Sequence, residues 1–210
     1  MKKTKWYILL MIIVVMVIVA AIFFLIFNKN TSKVFKNGNN MSSQEIVNQI
    51  LEISSYKANV TVEINSNKNS NKYVLSQEYI HPNTNMQEVI EPSNISGIKI
   101  IRDGDALRIE NTKLDLSKIF ENYNYLADNC LDLSVFINDY KQYDKSTCEE
   151  TNEQIVMKTE SLNGNKYTKN KVLYIDKQTI KPVRLEIKDN NQNTTVNILY
   201  NKVEISNSNE

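Results

Sequence analysis

The chain has 210 residues, with 25 Lys+Arg against 24 Asp+Glu, a single histidine and two cysteines. A near-neutral balance with no basic stripe excludes a polyanion-binding surface, so no nucleic-acid partner is expected. One histidine and two cysteines cannot supply a zinc set, and no cofactor motif is present.

The first five residues hold Lys2, Lys3 and Lys5 and read as a short cytoplasmic segment. Residues 6–27 (WYILLMIIVVMVIVAAIFFLIF) carry no charge, proline or glycine. As a helix rising ~1.5 Å per residue the stretch reaches about 33 Å, enough for a ~30 Å hydrocarbon core. The apolar run exceeds that of a cleavable signal peptide, and no A-x-A follows Ala20 and Ala21. The first cysteine is Cys130, so a lipid-modified cysteine after the run is excluded. An uncleaved signal anchor is the reading. Lys29, Lys33 and Lys36 balance the three lysines before it. Orientation is therefore expected from layout: a short amino end inside and a large domain outside the cell membrane.

Residues 28–41 are polar and rich in turn formers, as in a flexible linker. A domain is expected over 42–206, with a tail at 207–210. Without the first 27 residues the charge is 22 Lys+Arg minus 24 Asp+Glu, or −2.

Ser42 and Ser43 followed by Glu45 predict a helix start with a capping box. Ile46, Val47, Ile50, Leu51 and Ile53 give one apolar face to a helix over 43–54. The period then falls to two. Ala58, Val60, Val62 and Ile64 alternate with polar residues from Tyr56 onward, which predicts a strand. Further strands are expected over 73–80, 86–90, 97–102 and 106–110, separated by His81-Pro82, Glu91-Pro92 and Asp103-Gly104. Leu116, Ile119, Phe120 and Tyr123 then suggest a short helix. Leu133, Phe136, Ile137 and Tyr140 fall at i, i+3, i+4 and i+7 and predict a second one over 131–142. Strands resume over 154–160, 168–176, 180–189 and 194–205. In the last the alternation slips between Tyr200 and Val203, the mark of a β-bulge. Blocks of strands and helices give an α+β class: a curved antiparallel sheet, its helices gathered on one face.

Cys130 and Cys148 lie 18 residues apart. In an oxidising space they would form a disulfide worth about 3 kcal/mol by loop-closure entropy; otherwise they stand as two thiols. Neither has a histidine nearby in sequence, which argues against a catalytic thiol. His81, beside a proline in a turn, reads as a solvated loop histidine. Glu149-Glu150 reads as solvated too. No G-x-S-x-G, P-loop or G-x-G-x-x-G occurs, so no catalytic residue is assigned. Tyr123, Tyr125, Tyr140 and Tyr143 gather around the middle helices with Phe136. They form either a partner surface or lid, since tyrosine is enriched at interfaces, or the packing of those helices on the sheet.

Several short motifs occur in a telling order: Tyr56-Lys57-Ala58-Asn59-Val60-Thr61-Val62; Gln77-Glu78-Tyr79 with Pro82; Glu88-Val89-Ile90-Glu91-Pro92 leading to Gly97; Asp103-Gly104; Leu131-Asp132-Leu133 with Phe136-Ile137; Leu173-Tyr174-Ile175-Asp176 with Pro182-Val183-Arg184-Leu185. Across about residues 43–205 the chain resembles the GerS-like branch of the LolA/LolB/RseB-like superfamily. The resemblance implies an unclosed LolA-like β-barrel with helices over its concave face. It implies one of three non-catalytic roles. The first is a GerS-like partner of a CwlD-type cortex amidase in sporulation or germination. The second is a LolA-like carrier holding a lipid or acyl chain in its cavity. The third is an RseB-like envelope stress sensor. GerS-like proteins are lipoproteins and this chain carries a fixed helix instead. A stationary partner-binding role therefore fits better than shuttling. In a sporulating cell the domain would face the intermembrane space.

Overall fold

The computed structural model describes residues 41–66, 68–104, 106–121 and 131–207. The expected anchor, the linker up to residue 40 and the tail after Asn207 lie outside them; Asn207 itself ends the last strand, paired with Ile53. Among the described residues no helix is long and apolar enough to cross a membrane.

The first helix, α1 (Ser43–Leu51), begins as the sequence requires. The Ser42 N–H donates to Glu45 Oε2 at 2.8 Å, and Glu45 N–H donates back to Ser42 Oγ at 3.3 Å. Two orphan helix-start donors are satisfied reciprocally. Ile46, Val47 and Ile50 are buried beneath it.

Among the described residues eleven strands follow in one antiparallel, curved and unclosed sheet. They are β1 (Ile53–Asn65), β2 (Ser70–Ile80), β3 (Thr84–Glu91), β4 (Ile98–Asp103), β5 (Ala106–Asn111), β6 (Leu116–Phe120), β7 (Thr147–Glu150), β8 (Gln154–Glu160), β9 (Asn170–Asp176), β10 (Lys181–Lys188) and β11 (Thr194–Asn207). The helix α2 (Leu133–Gln142) lies between β6 and β7 in sequence. The order is β6-β5-β4-β3-β2-β1-β11-β10-β9-β8-β7. Two meanders therefore join where the first strand pairs with the last, and β6 and β7 are the edges. Val60 faces Tyr200 and Asn59 faces Lys202, so Asn201 is the extra residue of a bulge. It sits where the alternation slips in the sequence, and its Nδ2 donates to Thr61 Oγ1 at 2.9 Å.

Both helices pack on one face of the sheet. Their apolar residues meet Val60, Val62, Ile155, Met157, Leu173, Ile175, Leu185, Ile187 and Ile198 in a single core. These strand residues are the in-facing set of the period-two pattern.

Two sequence expectations are corrected. Residues 116–120 form a strand, not a helix: Leu107 pairs with Phe120 and Asn111 with Leu116. Leu116, Ile119 and Phe120 have the i, i+3, i+4 spacing of a helix face, but the ladder to β5 determines the backbone. The edge strand β7 was not foreseen, because Thr-Cys-Glu-Glu has no buried side chain.

Candidate functional site

The helix α2 is seated by polar groups as well as apolar ones. At its start, Leu133 N–H donates to Tyr56 Oη at 3.2 Å. Gln77 Nε2 donates to the Leu131 carbonyl at 3.0 Å, and Ser134 Oγ donates to Asn85 Oδ1 at 3.2 Å. Gln87 Nε2 donates to Asp132 Oδ1 at 2.5 Å. These partners belong to β1, β2 and β3, so the helix start spans three strands. Near its end Asp139 Oδ2 meets Lys171 Nζ of β9 at 2.5 Å, both side chains almost fully buried. Tyr143 Oη donates to Glu160 Oε1 of β8 at 2.7 Å.

Burial dominates the electrostatics of this belt. It raises the Asp132 carboxyl to about 6, against the opposing pull of the Gln87 hydrogen bond, Arg102 and Lys171. The Tyr56 hydroxyl is pushed well above its ordinary value, first by burial and then by the nearby Asp132 carboxylate. The charged form is disfavoured in each case because water is excluded.

Phe136 is fully buried and Tyr140 half-buried, their rings 5.9 Å apart. For Phe136 this is the packing alternative: it lies in the core on the buried stripe of α2. Tyr143 bridges the helix end to β8. Tyr123, Tyr125 and Cys130 lie outside the described residues. Cys148, the other member of the expected pair, is an exposed thiol on β7. His81 is exposed in its turn, with Nδ1 3.2 Å from Tyr79 Oη.

Sequence reasoning missed the polar belt. Its signal was present: Gln77 stands between Leu75 and Tyr79, and Lys171 two residues before Leu173, each in the apolar phase of its strand. A polar residue in a buried phase requires a partner.

The second feature is the wing formed by β3 to β6. Alternation and pairing put Ile100, Ile109 and Leu116 toward the helix-bearing side and Ile101 and Ile119 toward the other. Leu116 is 62% exposed and Ile119 56%. Ile90, Ile100 and Leu114 are exposed on the same wing. Five of the nine large apolar residues exposed among the described residues are thus on this wing, and three of them, Leu114, Leu116 and Ile119, are on or beside its β6 edge. The opposite edge contrasts with it. Around β7, Glu149 pairs with Lys158, while Glu150 pairs with Lys177 and accepts from Ser43. Charges blunt one edge and apolar side chains line the other. Among the described residues no cluster of three metal-ligating side chains occurs.

Solved structures with a similar fold include an uncharacterised conserved protein from Thermus thermophilus. It has 13% identity and a TM-score of 0.51, and the match covers 80% of this chain and 89% of that one. The CwlD amidase of Clostridioides difficile in complex with the GerS lipoprotein matches at 24% identity and a TM-score of 0.43, covering 80% and 92%. A LolA superfamily protein of Nitrosomonas europaea matches at 12% and 0.41, covering 80% and 95%. No curated protein matches the chain. The sequence model of the YdcC-like sporulation proteins matches residues 5–209, and the chain belongs to that family.

Proposed function

We propose that this protein is a non-catalytic, membrane-anchored binding protein of the sporulating cell, whose β3–β6 wing docks a cell-wall amidase of the CwlD type. The observation that carries the reading is the group of exposed apolar residues on this wing, with Leu114, Leu116 and Ile119 on or beside its β6 edge. Soluble surfaces seldom leave such a patch without a partner. An edge strand with apolar residues on both sides suits an added strand or a flat apolar surface. Membership of a sporulation family is consistent with it. The choice of an amidase as partner rests on the GerS-like order of motifs in the sequence. The apolar residues of α1 and α2 are packed into the sheet, which supports partner binding over carriage of an acyl chain.

The test is an activity assay. Full-length protein in detergent micelles is added to purified amidase on cortex-type peptidoglycan. Amide hydrolysis is expected to rise with added protein and to saturate. Unchanged hydrolysis, together with no co-purification of the amidase from sporulating cells, would reject it.

A further inference from the structure

At the end of the sheet where β8 turns into β9 and β10 into β11, two connections are tied together. Residues 161–169 form a loop held by its own hydrogen bonds. Asn165 N–H donates to Thr168 Oγ1 at 3.1 Å, Thr168 N–H to the Asn165 carbonyl at 3.0 Å, and Tyr167 N–H to Asn165 Oδ1 at 2.8 Å. The neighbouring turn and strand bind it from outside. Asn190 N–H donates to the Lys166 carbonyl at 3.1 Å, and Thr195 Oγ1 donates to the Tyr167 carbonyl at 2.7 Å. The loop is so close at Gly164 that an added Cβ would lie 2.4 Å from both Ser161 Cβ and the Thr168 carbonyl. Only glycine fits.

This braced loop holds an aromatic ring in water. Tyr167 is 58% exposed, with Lys166 Nζ over the ring 4.8 Å from its centroid. The loop and the turn bound to it also carry the exposed amides Asn163, Asn190 and Asn191 and one exposed large apolar residue, Leu162. A protein hot spot is ringed by further contacts that exclude water, and the amides here make a poor ring of that kind. They suit a sugar better. Each amide both donates and accepts, as a hydroxyl or acetamido group does. The tyrosine face away from Lys166 would accept the C–H face of a pyranose, and the ammonium of Lys166 at the opposite face suits a carboxylate beside the sugar. Because the loop is already fixed, little ordering cost is incurred on binding.

We propose that this rim is a glycan-binding site that takes a strand of N-acetylated hexosamines whose attached peptide stems bear carboxylates, the chemistry of peptidoglycan, with Tyr167 as stacking platform. It is separate from the β6 edge and does not depend on it.

The experiment is cosedimentation of full-length protein in detergent with purified bacterial sacculi, with chitin and cellulose particles in parallel. The wild-type chain and Tyr167→Phe are expected to pellet with sacculi, and Tyr167→Ala to lose at least tenfold in apparent affinity while keeping its circular dichroism. Chitin, which has the acetamido groups without the carboxylates, is expected to bind more weakly than sacculi, and cellulose not at all; chitin bound as tightly as sacculi would overturn the carboxylate preference. The Leu116→Glu, Ile119→Lys double variant is expected to pellet like wild type, which separates this site from the wing. No pelleting of wild type, equal pelleting of Tyr167→Ala, or equal binding to cellulose would overturn the proposal. So would a Tyr167→Ala protein that pellets normally but fails to bind the amidase, since the rim would then be a protein contact.

Discussion

Asp132 sits at the start of α2 without using its side chain as a helix cap. It is buried, and its carboxyl is raised from 3.8 to about 6. The folded state therefore holds this proton more tightly than the unfolded chain. The contribution to stability is full below about pH 4 and is lost as pH rises through about 6, a change on the order of 3 kcal/mol. Glu150, Glu160 and Asp189 are held below the usual carboxylate range by their hydrogen bonds and do not titrate in that window. Thermal denaturation followed by circular dichroism is predicted to show a more stable protein at pH 5.5 than at pH 7.5. In Asp132→Asn the difference is expected to shrink, with the Gln87 contact retained. The Lys171–Asp139 pair has a different signature. Lys171→Met leaves a buried carboxylate without its cation and should cost about 3–5 kcal/mol. Adding Asp139→Leu removes the orphan charge and should recover most of that loss. A double variant as unstable as the single one would show that the pair is not the cause.

Element by element, the sequence was legible wherever period and burial agree. Ser42 and Glu45 marked the start of α1, and the slip after Tyr200 marked the bulge at Asn201. Ser42→Ala should cost about 1 kcal/mol through loss of one cap acceptor, measurable as a lower melting temperature. Two elements were illegible for physical reasons. In β6 the apolar spacing fits a helix, and only the ladder to a distant partner strand resolves it. In β7 no apolar side chain is buried; backbone pairing and the Glu149 and Glu150 ion pairs hold it in place. Both are edge strands, where the core does not write its alternation into the chain. Of the candidate site, the sequence named Phe136, Tyr140 and Tyr143 on and beside α2 but left their role open. The belt of Gln77, Asn85, Gln87, Asp132 and Lys171 was not, because tertiary partners alone make those polar residues tolerable inside.

At the scale of the domain, across the described residues, two meanders joined at β1 and β11 enclose one core under two helices, and the two edges differ in chemistry. The core accounts for the fold, and the edges are where a partner would be distinguished. Cys148 gives a check on the proposed topology. Its exposed thiol should react with a membrane-impermeant maleimide in intact, reductant-treated protoplasts if the domain lies outside the membrane. Labelling only after lysis would reverse the assignment. The role of the wing is tested most directly by the affinity of the full-length chain, in detergent micelles, for a purified CwlD-type amidase by biolayer interferometry. Leu116→Glu with Ile119→Lys places charge on both sides of the exposed edge without touching the core. Wild type is predicted to bind and the double variant to lose at least tenfold, with an unchanged melting temperature. Equal affinity of the two proteins would contradict docking at the β6 edge.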